Sequence, residues 1–146
     1  MKTDTWKRLD EERDEFSIMF AEDVPSEEEV DAGSAEIGMP FPPDYRDFLL
    51  RYGGAMVGAY PIFGFREAEV MGKTSWSVVD MTKRFRSFAI EGTSGWIVFS
   101  EDHAGNPIGM DADGKVWIFD HDFGGIAELT ADFEEYLRKR CLKVDE

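Results

Sequence analysis

Two histidines, His103 and His121, each sit among carboxylates: Glu101 and Asp102 precede the first, and Asp120 and Asp122 flank the second. Imidazole beside carboxylate is the pairing that acid–base catalysis or a divalent metal would use. Both histidines, however, lie in segments of turn composition, where Asp is frequent because its side chain bonds the nearby backbone. They read first as hydrogen-bonding members of two turns, with a metal-dependent hydrolase as the lesser reading. Asp111-Ala112-Asp113-Gly114-Lys115 echoes a calcium loop but has no bidentate Glu at the required downstream spacing, and a hairpin explains it. Gly53-Gly54 and Gly124-Gly125 lack the Lys-Ser/Thr or GxGxxG context of a phosphate cradle. Ser94 and Ser100 have no triad setting. Cys141 is the single cysteine, which excludes an intrachain disulfide and a cysteine-based zinc cluster. No catalytic residue, metal or cofactor is expected.

These candidates are held by the stretch Trp96–Asp122, which reads as three short strands and two turns. Trp96–Ser100 is a continuous apolar run suited to an interior strand. Glu101–Asn106 connects it to a strand opened by Pro107, a position where the missing donor costs little. Asp113-Gly114 predicts a two-residue type I′ turn. That turn would pair Asp111 with Val116, Met110 with Trp117, Gly109 with Ile118 and Ile108 with Phe119. Opposed residues share a face and alternate along a strand. One face would then carry Ile108, Met110, Trp117 and Phe119 as core. The other would carry Gly109, Asp111, Val116, Ile118 and Asp120, thinner and open to a light cover or a partner.

Around this sheet the spacing predicts helices. Trp6, Leu9, Phe16, Met19 and Phe20 stripe a helix over 3–21, and Ser26 with Glu29 forms a capping box for a second helix toward Ile37. Pro43 suits the first turn of a third, striped by Tyr45, Phe48, Leu49 and Tyr52 and stopped at Gly53. Residues 55–65 suggest two short strands, and Val78, Met81, Phe85 and Phe88 suggest a helix over 77–88. Trp76 is the tryptophan expected to be exposed. Thr130 is a candidate N-cap for a last helix striped by Phe133, Tyr136, Leu137 and Cys141, with the tail Val144-Asp145-Glu146 frayed.

Composition narrows the partners. A formal net charge of −15 over 146 residues repels nucleic acid and anionic membranes and would draw in a basic protein. The segment MKTDTWKRLDEERDEF has no apolar run like a signal peptide, and no stretch approaches the roughly 18 apolar residues of a membrane span. A cytoplasmic setting is expected, with residues 1–146 as one domain whose first 25 residues form an N-terminal helical part.

IGMPFPPDYRDFLLRYGG, SEDHAGNPIGMDADGKVWIFDHD and LTADFEEYLRKR, in that order, resemble three motifs of the SMI1/KNR4 (SUKH) family over residues 26–142. Phe41 stands where Leu is usual, and His103–Asn106 replaces a more glycine-rich turn. The resemblance implies an α+β fold, a mostly antiparallel twisted sheet flanked by helices. It also implies a non-enzymatic role. Bacterial members are chiefly immunity proteins that bind and neutralise toxins, often nucleases, and eukaryotic relatives are regulatory scaffolds. The partner-binding candidates are the acidic loops Glu101, Asp102, His103 and Asp120, His121, Asp122, with Asp111 on the thinner sheet face. Their partner would be a basic toxin domain. The alternative is a regulatory or scaffold module without a toxin partner.

Overall fold

The computed structural model describes residues 1–72, 77–122 and 124–144. Trp76, Phe123 and the last two residues therefore lie outside the described residues. Helix α1 (Thr3–Glu15) leads through a 3₁₀ turn, Ser17–Met19, to α2 (Glu27–Ile37) and α3 (Pro43–Tyr52). A hairpin of β1 (Ala55–Val57) and β2 (Tyr60–Ile62) is followed by a second 3₁₀ turn, Glu69–Met71, and by α4 (Val78–Arg86). The main sheet is an antiparallel meander of β3 (Ile97–Glu101), β4 (Pro107–Met110), β5 (Val116–Asp120) and β6 (Gly125–Thr130). A short α5 (Phe133–Tyr136) runs on into a π-helical turn, Leu137–Cys141. The fold is α+β, with an antiparallel sheet flanked by helices. No helix among the described residues is long and apolar enough to cross a membrane.

Local chemistry accounts for the helix ends. The Ser26 hydroxyl accepts the Glu29 amide at 3.1 Å, so the capping box starts α2 as its sequence predicts. Pro43 opens α3, and Gly53 at φ +77° ends it. The first helix is shorter than expected. It stops at Glu15, and Phe16 and Ile18 face solvent, while Phe20 is drawn away to bridge Ala55 at the start of β1. Phe88 also lies beyond the end of its helix and is exposed. In the last helix Asp132, rather than Thr130, is the N-cap, accepting the Glu135 amide at 2.8 Å. Thr130 instead ends β6, a fourth strand that the three-strand reading lacked.

The central hairpin is shifted by one residue from its expected register. Ile108 pairs with Ile118, Gly109 with Trp117 and Met110 with Val116. Asp113 is not among the residues with positive φ, so the loop is not type I′; Gly114 alone takes φ +85° there. Asp111 Oδ1 accepts both the Asp113 amide (2.9 Å) and the Lys115 amide (3.0 Å), closing a three-residue loop, 112–114. One residue of slip moves a strand's side chains to the opposite face.

Ile108, Met110 and Val116 accordingly share one buried cluster with Ile97 and Phe99. There Phe99 meets Tyr45 of α3 and Phe133 of α5, with ring centroids 5.8 and 5.5 Å apart. Trp117 and Phe119 fall on the other face, against Phe85 of α4, Trp96 and Val98. The gap expected at Gly109 is filled: a Cβ there would lie 2.9 Å from the Trp96 ring. Thus α4 seals much of this second face. At the outer edge of β3 the Val98 amide donates to Thr82 Oγ1 of α4, and the Phe63 amide, just past β2, donates to the Phe99 carbonyl. The opposite edge, β6, stays exposed from Gly125 to Glu128.

Candidate partner-binding surface

Two turns at one end of the main sheet carry six of the seven candidate residues. In the β3–β4 loop Asp102 acts as the organiser. Its Oδ1 accepts the amides of Ala104 (2.9 Å) and Asn106 (2.8 Å), and its Oδ2 accepts the Asn106 side-chain NH2 (2.9 Å). Burial pushes the Asp102 carboxyl up, but the hydrogen bonds from Asn106 and Ala104 outweigh it and hold the group below the ordinary carboxylate range. Glu101 goes the other way: burial, and then the adjacent Asp102 charge, raise it.

Asn106 joins this loop to the β5–β6 turn. It is buried, and its Oδ1 accepts the His121 amide at 2.9 Å and faces His121 Nδ1 at 2.5 Å. Because its NH2 already donates to a carboxylate, the amide oxygen must face His121, so Nδ1 carries the proton. The ring of His121 meets Phe119 edge-on at 5.6 Å. Asp120 Oδ1 accepts the Asp122 amide, which holds the turn in place. On the other side, His103 stacks on Tyr60 at 5.2 Å, and its Nε2 donates to the Ala59 carbonyl at 3.1 Å, tying the loop to the β1–β2 turn.

Glu101, Asp102, His103, Asp120, His121 and Asp122 are therefore brought into one rim. Asp111 is not part of it. It lies past the far end of β4, about 17 Å away at a strand rise of about 3.4 Å per residue. There Asp111 Oδ1 serves the hairpin amides and Oδ2 accepts Trp117 Nε1 at 2.9 Å. Asn106 and Tyr60 are the members that sequence reasoning missed. An Asn just before a strand-opening Pro, four residues after an Asp, was the available signal. Among the described residues no three His, Cys, Asp or Glu side chains gather as a metal site would need. Ser100, buried in β3, bonds the Pro61 carbonyl and the Tyr136 hydroxyl instead of a histidine.

The model of the SMI1/KNR4 family (SUKH-1) matches residues 24–139. The chain belongs to the SMI1/KNR4 family. The match runs from just before α2 to the middle of the π-helical turn and includes both turns of the acidic rim, while α1 lies ahead of it. Comparison with curated proteins returns no match. An immunity-type role fits membership of this SUKH family, whose antiparallel sheet and flanking helices the fold shares.

Proposed function

We propose that this SMI1/KNR4-family chain is a non-enzymatic protein-binding domain of immunity type, which neutralises a basic toxin domain by direct docking. The observation that carries the reading is the rim itself. Glu101, Asp102, Asp120 and Asp122 are presented together because Asn106 locks two loops to each other. A toxin that cleaves nucleic acid needs a cationic path for a polyanion. A pre-ordered acidic rim on a chain of net charge −15 is complementary to such a path. The non-enzymatic part of the reading is supported by the engagement of both histidines in structural hydrogen bonds. The cell compartment proposed is the cytoplasm, where a toxin of this kind would be met.

The test is co-expression with any toxin whose gene stands beside this one. Wild type is expected to protect the cells and to co-purify with the toxin. The pair Asp120→Asn with Asp122→Lys, at a half-buried and an exposed position, is expected to slow association about tenfold, the size of effect that removal of steering charges produces. No protection and no complex with any neighbouring toxin would rule the immunity role out, leaving the regulatory or scaffold module as the reading.

A further inference from the structure

Six large apolar side chains are exposed among the described residues; one of them, Ile18, lines a cleft, and Phe16, Val24 and Val70 each stand next in the chain to a residue that lines it. The cleft, of about 500 Å³, lies between the 3₁₀ turn Ser17–Met19 and the segment approaching the turn Glu69–Met71. Ile18 lines its mouth at 54% exposure, and buried Phe20 forms part of its floor. Glu22, Asp23, Glu67 and Glu69 also line it, opposed by Arg13. Arg66 answers Asp23 at 3.0 Å. Glu22, Glu67 and Glu69 are left as the rim's excess negative charge.

The docking of Phe20 on β1 accounts for the end of α1, but not for the outward placement of Phe16 and Ile18. The apolar spacing of α1 would let the helix continue and bury Phe16, yet the chain leaves the helix at Glu15 and presents Phe16 and Ile18 outward. Contiguous exposed apolar surface rimmed by polar groups marks an interaction site, and apolar anchors in a pocket carry most of an interface's energy. A second copy of the chain is a poor occupant, because each copy would bring the same acidic rim and the like charges repel. Nucleic acid and anionic lipid are disfavoured by the same charge.

We propose that this cleft is the docking site for a basic segment of a protein partner. An apolar side chain of that segment sits on Ile18 and Phe20, and flanking Lys or Arg side chains meet Glu22, Glu67 and Glu69. The inference rests on the reading of the chain as a protein-binding domain but names another face. The Ala21 amide donates to the Gly54 carbonyl, which places the cleft at the start of β1, whereas His103 reaches the turn at its end.

The probe is a capped peptide, Lys-Leu-Lys-Trp-Lys-Leu, titrated into the ¹⁵N-labelled full chain, with the same peptide carrying Glu for Lys as control. Amide shifts are expected to concentrate at residues 17–23 and 67–70. Ile18→Ser with Val70→Ser should weaken binding at least about tenfold, equivalent to about 1.4 kcal/mol, without moving the melting temperature. The Glu peptide should not bind. Shifts spread evenly over the acidic surface, shifts confined to the 101–103 and 120–122 turns, or unchanged affinity of the double variant would each overturn the proposal. So would a dimer in sedimentation that Ile18→Ser dissociates, which would assign the cleft to a second copy. The titration involves no toxin. A positive result alongside failed co-expression would therefore keep the cleft and remove the toxin, and the converse would remove only the cleft.

Discussion

At the scale of single residues, Asn106 holds the candidate surface together. Its amide satisfies a carboxylate on one loop and a backbone and ring nitrogen on the other, with the side chain buried. Asn106→Ala leaves these groups without partners and is expected to cost about 1–3 kcal/mol in chemical denaturation. The His121 amide should lose its hydrogen-exchange protection ahead of the rest of the sheet. Asp102 adds a pH dependence whose sign follows from its lowered carboxyl. The folded state binds that proton less tightly than the unfolded chain, so its stabilisation is complete above the unfolded value, near 3.9, and is lost as pH falls through the lower folded value. Asp102→Asn should remove that part of the acid limb, as followed by the His121 amide resonance during an acid titration. The histidine–carboxylate spacing was legible in the sequence because it is local. The Asn106 bridge was not, since it joins residues 15 apart that only the sheet brings together.

At the scale of elements, the hairpin between β4 and β5 shows how one side chain sets a register. Asp113-Gly114 does mark a turn, but Asp111 accepts two loop amides and the Trp117 indole, and this favours a loop one residue longer. Asp111→Ala is expected to destabilise the protein by about 1–3 kcal/mol and to move the Trp117 indole NH resonance, as thermal denaturation and NMR would show. Gly109→Ala drives a methyl into the Trp96 ring and should cost a similar amount, about 1–3 kcal/mol, through overpacking of the face under α4. The α+β class and the starts of α2 and α3 could be read from the sequence because Ser26, Glu29, Pro43 and Gly53 act within a turn of themselves. The face assignment could not, because it hung on a single turn type. Strand β6 was hidden for another reason: Gly125-Ile126-Ala127-Glu128-Leu129-Thr130 has little β-branched content and takes its pairing from β5. The end of α1 has no Gly or Pro to announce it and follows from the docking of Phe20 on β1.

At the scale of the whole molecule, α1 lies ahead of the family match yet belongs to the same core. Leu9 is fully buried, Glu134 accepts the Lys2 amide and the Thr5 hydroxyl, and Asp10 accepts from both the Tyr52 hydroxyl and Arg51. Leu9→Ala should therefore cost about 2–5 kcal/mol, as a core cavity does. Charge sets a second, opposite pair of behaviours. With 31 acidic residues against 16 basic ones, the folded chain compresses like charges that the unfolded chain spreads apart. Cross-element pairs such as Arg66 with Glu29 and Lys83 with Glu36 offset part of this, but the carboxylate excess remains. Salt shortens the reach of charge from about 30 Å at 0.01 M to about 8 Å at 0.15 M, and so relieves the repulsion. Raising NaCl from low to near-molar concentration should increase the melting temperature of the free protein. The same salt should slow association with a basic partner by about tenfold or more, because steering depends on that unscreened field. Calorimetry and stopped-flow association across one salt series test both signs at once. A melting temperature that falls with salt would mean that the ion pairs outweigh the repulsion. An association rate indifferent to salt would mean that the acidity serves solubility, and that recognition rests on apolar anchors alone.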